Sequence, residues 1–234
     1  MTLALRSIER RQPLLDVLLP RTRVCRLLNV TVAAIGLVVT LPLMLVIAAA
    51  IWITSGSPVI FTQTRIGLDR RASRRRSNTN GRRSDDLGGR PFTIYKFRTM
   101  APRVGSGSAA QRWACPADAR VGVLGRILRT LRLDELPQLV NVLIGDMNIV
   151  GPRPEQPAIF ARLRHEIQGY ALRQQVPPGI TGWAQVNQGY DRSVSDVRRK
   201  VALDLEYIEH RSPLADLVIM VKTIPVMLFG RGAL

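Results

Sequence analysis

The chain has 234 residues, enough for one catalytic domain with appendages and a sizeable core. Its formal charge of +17, carried mostly by arginine, points to anionic partners: nucleic acid, anionic lipid or phosphorylated metabolites. Aromatic residues make up only 5%, which weighs against a base-stacking nucleic-acid binder, and two histidines are too few for a histidine-rich metal site.

Residues 1–23 form a basic N-terminal segment, with Arg10, Arg11, Arg21 and Arg23. The next segment, 24–57, reads as a membrane anchor. No charged side chain occurs from Leu27 to Gln63, and Val30–Trp52 exceeds the ~20 apolar residues that a membrane helix needs. Arginines flank the segment at both ends, whereas basic residues gather on the cytoplasmic side of a crossing helix. Pro42, near the middle, removes a backbone donor and favours a bend. Both observations suit a re-entrant helix hairpin that enters and leaves by one face; a kinked spanning helix is the alternative. Cys25 and Cys115 have no metal-ligand spacing and are expected to be reduced thiols.

Residues 58–234 form the candidate catalytic domain. Pro58–Ile66 and Pro91–Met100 are rich in Ile, Phe, Thr and Tyr and predict two strands. Between them, Asp69–Gly88 is polar, carries seven arginines and cannot build a core, so it is expected to be a disordered insertion. Helices are predicted at Val121–Leu133, Pro137–Leu143, Pro157–Ile167 and Val194–Arg211. Val121–Leu133 alternates apolar residues with arginine, and Leu214–Phe229 is apolar but carries Asp216, Lys222 and Pro225. Each suits an amphipathic helix at a membrane interface or, equally, a core helix. The predicted fold class is α+β: a re-entrant anchor, interfacial amphipathic helices and a small mixed cytoplasmic domain.

The chemistry concentrates in Leu131–Glu155, LRLDELPQLVNVLIGDMNIVGPRPE. Pro137 fits a first helical turn, which puts Asp134 and Glu135 at or just before a helix N-terminus. There the backbone dipole favours an ionised carboxylate, suited to a nucleophile or metal ligand; helix capping is the plainer role. Arg129 precedes them by about a turn, and Gly151-Pro152-Arg153-Pro154 holds another guanidinium on a stiff turn, a planar fork that matches phosphate oxygens. Lys96 and Arg98, two apart on a strand, are expected to share one face. Pro177–Gln185 reads as a glycine-punctuated loop able to bring backbone close to a ligand, or as a structural turn. No Walker or dinucleotide motif occurs.

Four strings in order, PVIFTQTRIG, GRPFTIYKFRTM, LRTLRLDELPQLVNVLIGDMNIVGPRP and VPPGITGWAQVN, resemble the bacterial sugar transferases called monotopic phosphoglycosyl transferases, or polyprenyl-phosphate hexose-1-phosphate transferases. The resemblance runs from about Arg23 to Gly232, and the chain looks like the short, minimal form. It implies that Asp134 attacks the β-phosphorus of a UDP-sugar, giving a covalent phosphosugar and UMP. Undecaprenyl phosphate then takes the phosphosugar. Glu135 would help Asp134 hold Mg²⁺, and Arg129 and Arg153 would bind phosphate. Lys96, Arg98 and Gln185 match further pocket positions. The implied location is the cytoplasmic face of the bacterial inner membrane, at the first membrane step of exopolysaccharide, capsule or O-antigen synthesis. The implied partners are UDP-sugar, undecaprenyl phosphate, membrane lipid, downstream glycosyltransferases and a second copy of the chain, without nucleic acid.

Some positions depart from the family pattern. Cys25-Arg26-Leu27-Leu28-Asn29 stands where Lys-Arg-x-x-Asp is usual, Leu41 where a Ser precedes the proline, and Arg132 where a Ser is usual. The alternative function is a non-catalytic basic membrane scaffold for phosphorylated ligands or anionic lipid. A scaffold has no need of a nucleophile.

Overall fold

The charge-free run folds as a helix, α1, spanning Leu15–Ser55. The computed structural model describes residues 15–69, 89–101, 120–189 and 193–228, without the side chains of 15–22. α1 is one helical element that continues through Pro42 rather than two helices joined by a loop. Proline there leaves only the Val38 carbonyl without its donor, and the Thr40 hydroxyl donates back to the Gly36 carbonyl at 2.7 Å. Among the described residues, this is the one helix long and apolar enough to cross a membrane.

After α1 the chain forms β1 (Ile60–Ile66), which pairs antiparallel with β2 (Pro91–Phe97) from Ile60 opposite Phe97 to Ile66 opposite Pro91. Their β-branched and aromatic content supports the pairing expected from sequence. The proposed insertion between them lies, beyond Asp69, outside the described residues, as does Cys115. Cys25 is buried and free.

The predicted helix over 121–133 is shorter: α2 covers Val123–Thr130. It stops because Arg132 takes a left-handed conformation, φ 54°, and leads into a 3-10 turn at Leu133–Glu135. Next come α3 (Gln138–Ile144), closed by Gly145 at φ 98°, then β3 (Asn148–Val150) and α4 (Pro157–Glu166). A second 3-10 turn, Tyr170–Gln175, leads to β4 (Gly179–Thr181) and the short α5 (Trp183–Asn187). The chain ends in α6 (Val194–His210) and α7 (Pro213–Leu228). Ser193 and Asp196 form a reciprocal capping box at the start of α6. β3 and β4 pair in parallel, Asn148 with Gly179 and Val150 with Thr181. The fold is thus α+β, with two separate two-stranded sheets among helices.

The anchor helix is part of the core. Ala33 packs with Phe92, Ile94, Val142, Met147 and Ile219, while Ile47 and Ile51 pack with Phe97 and Leu128. A third cluster joins Ile66 to α4 and α6 through Phe160, Leu163, Tyr170, Val197 and Val201. Both ends of the apolar stretch of α1 are also bonded to the rest of the chain. Arg26 donates to the carbonyls of Val142 and Met147, and Arg98 to those of Ser55, Gly56 and Ser57. Apolar side chains stay exposed on α1, on α2 (Val123, Ile127) and on α7 (Leu214, Leu217, Val221, Ile224).

Candidate active site

The 3-10 turn places Asp134 and Glu135 inside the protein, 9% and 6% exposed. They occupy different surroundings. Glu135 Oε1 receives Lys96 Nζ at 2.7 Å and Arg153 Nη2 at 2.6 Å. Among the described residues, Asp134 has no hydrogen bond or ion pair, although Lys96, Arg153 and Arg129 act on it through space. Burial and the neighbouring Glu135 charge push the Asp134 carboxyl up to about 6. Burial also acts against the Glu135 charge, but Arg153 and Lys96 outweigh it and hold that carboxyl well below the usual range. Glu135 is therefore held ionised by its two cations, whereas at Asp134 desolvation dominates.

Each cation around the pair has its own support. Asn141, buried on α3, accepts from the Tyr95 amide at 3.1 Å and donates to the Thr93 carbonyl at 2.7 Å, which fixes β2 and directs Lys96 at Glu135. Arg153 extends from the Gly151–Pro154 turn. That turn lies backbone to backbone against the Pro177–Gly182 segment, where a Cβ on Gly151 would meet the Pro177 carbonyl. Arg129, on the last turn of α2, keeps a buried Nη1 with no hydrogen-bond partner among the described residues. Such an atom is costly unless a ligand supplies the acceptor.

Two sequence candidates stand elsewhere. Arg98 follows the last residue of β2, so the strand alternation that would align it with Lys96 has ended, and its guanidinium covers the carbonyls after α1. Gln185 donates to the Ile180 carbonyl at 2.9 Å and lies behind the turn, against Gly182, with its Oε1 buried and unpartnered.

The family model for bacterial sugar transferases matches residues 20–230. The chain belongs to the bacterial sugar transferase family. It is 39% identical over 206 residues to the Aeromonas hydrophila UDP-N-acetylgalactosamine-undecaprenyl-phosphate N-acetylgalactosaminephosphotransferase, covering 88% of this chain and 44% of the relative. It is 41% identical to the Caulobacter vibrioides UDP-glucose:undecaprenyl-phosphate glucose-1-phosphate transferase, covering 87% of this chain and 69% of that one. With the uncharacterized sugar transferase EpsL of Bacillus subtilis it shares 36% identity over 88% of both chains. The chain thus spans less than half of the first relative's length and most of the last one's.

In this member of the family the structure adds two residues that sequence reasoning missed. Arg65, on β1, donates to the Pro154 carbonyl at 3.1 Å, and burial lowers its guanidinium to about 10 despite Glu155 nearby. Its place in the QTR string of β1 was the available clue. Gln138 opens α3, four residues after Asp134; it is buried and its Nε2 has no partner among the described residues. Among the described residues no three His, Cys, Asp or Glu side chains come together.

Proposed function

We propose that the chain transfers a sugar-1-phosphate from a UDP-sugar to undecaprenyl phosphate through a covalent intermediate on Asp134. One observation carries the reading: a buried, unpartnered carboxylate sits beside a twice-paired one, under a buried guanidinium nitrogen that lacks an acceptor. An Asp134 oxygen attacks the β-phosphorus of the UDP-sugar. The bond from that phosphorus to the bridging oxygen breaks, and UMP leaves. A phosphate oxygen of the lipid carrier then attacks the same phosphorus and returns Asp134 to its carboxylate form. Holding the phosphosugar on the enzyme means that the two large substrates need not occupy the site together.

Arg129 has the free nitrogen that suits it to a phosphate oxygen, and Lys96 and Arg153 add positive charge where the diphosphate would repel the nucleophile. Glu135 orients both cations. Arg98 acts at the α1–β1 junction, and Gln185 supports the turn from behind. Mg²⁺ is the cofactor proposed. Asp134 and Glu135 offer the hard oxygen donors that it takes, and substrate phosphates commonly complete its shell. Bound there, the ion would neutralise diphosphate charge.

The anchor supports a re-entrant, monotopic arrangement on the cytoplasmic face of the inner membrane. At about 1.5 Å per residue, the apolar stretch is longer than the ~30 Å hydrocarbon layer. A helix crossing that layer would carry its two ends to opposite sides, yet Arg26 and Ser55 both bond to one arginine-rich body. The exposed apolar faces of α2 and α7 suit the interface beside it. The product, a lipid diphosphosugar, suits the start of exopolysaccharide, capsule or O-antigen assembly.

The test is UMP release by the full chain in lipid, with Mg²⁺, undecaprenyl phosphate and a panel of UDP-sugars. Release with one donor, abolished by Asp134→Asn, is expected; release that survives the substitution would sink the aspartyl intermediate. For topology, cysteines at Arg23 and Thr62 should both react from the cytoplasmic side only. Labelling from opposite sides would mean a spanning helix.

A further inference from the structure

Both backbone polar groups of Val150 are held by side chains from outside its sheet. β4 is bonded through neighbours instead: the Gly151 amide donates to the Thr181 carbonyl at 2.9 Å and the Asn148 amide to that of Pro178 at 2.8 Å. The Val150 amide points the other way and donates to Asn29 Oδ1 at 3.0 Å. Asn29 Nδ2 in turn donates to Asp216 Oδ2 at 2.9 Å. The Tyr207 hydroxyl donates to Asp216 Oδ1 at 2.7 Å and reaches the Val150 carbonyl at 3.3 Å. The four groups close a ring drawn from α1, α6, α7 and β3, and all four residues are buried.

Val150 immediately precedes Gly151-Pro152-Arg153. On the far side of the turn, Arg173 donates to the Arg153 carbonyl at 3.0 Å and Arg65 to that of Pro154. The turn is therefore held at both ends, and its leading end is held by the membrane anchor. We propose that Asn29, Asp216 and Tyr207 are positioning residues: the ring they close around Val150 sets the turn and so places the Arg153 guanidinium on Glu135. This inference rests on the proposed reaction for what Arg153 does, and the experiment below separates the two.

The ring has a direction that a test can exploit. Asn29 presents an acceptor to Val150 and a donor to Asp216, and Asn29→Asp loses the donor and sets two carboxylates against each other. Asp216→Asn alone can turn its amide so that the oxygen still accepts from Asn29 while the nitrogen donates to the Tyr207 oxygen, which makes it the mild single variant. Together the two substitutions restore each donor–acceptor pair of the ring, at the loss of the Asn29 bond to the Cys25 carbonyl.

The measurement uses the full chain in lipid with Mg²⁺ and undecaprenyl phosphate. UMP release from UDP-glucose and from UDP-N-acetylgalactosamine is followed alongside amide exchange of the peptide that contains Val150. Asn29→Asp should lower kcat/KM by about tenfold, the scale of one buried hydrogen bond broken, and Asp216→Asn by much less. The double variant should recover most of it. In an Arg153→Ala background the Asn29→Asp penalty should largely vanish, because the ring acts through Arg153. Exchange at Val150 should quicken in Asn29→Asp and slow again in the double variant. A penalty that persists in full without Arg153, or a double variant that does not recover, would overturn the proposal. If the wild type releases no UMP from either donor, the proposed reaction loses its support. UDP affinity of the same variants then replaces turnover in the cycle, with the same two outcomes.

Discussion

Two buried charge clusters flank the Gly151–Glu155 segment, and they are finished differently. Behind it, Arg173 Nε meets Asp204 at 2.7 Å, and Glu155 is reached by Lys200 at 3.3 Å and by Arg173 at 3.9 Å. In front of it, Glu135 is neutralised twice while Asp134 and the Arg129 Nη1 are left open. A satisfied ion network rigidifies an interior, whereas an open one is unfavourable until something fills it. The closed cluster is scaffold, and the open one is where a phosphate would fit.

Exchanging one carboxylate in each cluster should break the comparison most sharply. Asp134→Asn should lower turnover at least about a thousandfold, the scale of losing a nucleophile, with a melting temperature unchanged or raised. Asp204→Asn should do the reverse. It leaves the buried Arg173 charge with only Glu155 at 3.9 Å, a cost of about 3–5 kcal/mol in chemical denaturation, while the folded fraction keeps far more turnover than Asp134→Asn does. Equal stability losses at both positions would erase the distinction.

A smaller effect is expected from pH. The Asp134 carboxyl sits near 6, so it is protonated and not nucleophilic below that value. Donor kcat/KM should therefore climb about tenfold per unit on the acid side and level off above roughly pH 6–7. Arg129→Ala withdraws a cation that favours the charged form and should move this limb to higher pH. A profile flat from pH 5 to 7 would count against Asp134 as the titrating group. Smallest should be the effect of replacing 69–88 by a short turn: turnover within a few fold, with a larger loss giving that segment a role.

Much of this was legible in the sequence, for local reasons. β1 and β2 follow from their Ile, Phe, Thr and Tyr content, and the helix expected over Val194–Arg211 matches α6 closely. Asp134, Glu135, Arg129 and Arg153 stood out because carboxylates and guanidinium groups lie close along the chain. The β3–β4 pair was hidden: each strand has three residues, and the pairing depends on glycines that let two distant segments touch. Arg98 was misplaced because alternation was carried one residue past the strand's end. The α1 re-entrant hairpin was expected from Pro42 and from the arginines at both ends, signals that say nothing of the packing around the helix. Arg65 was missed because only tertiary contact brings it to Pro154.

The grip of α1 on β3 also bears on how this protein can be handled. Arg26 and Asn29 occupy the side of β3 that no strand pairs with, meeting the Met147 carbonyl, the Asn148 side chain and the Val150 amide. Trimming the chain to a soluble fragment would bare that strand edge together with the apolar surface under Ala33. An uncovered edge recruits further strands from other copies. Such a fragment should aggregate, because the part that looks like a tether is also the cover.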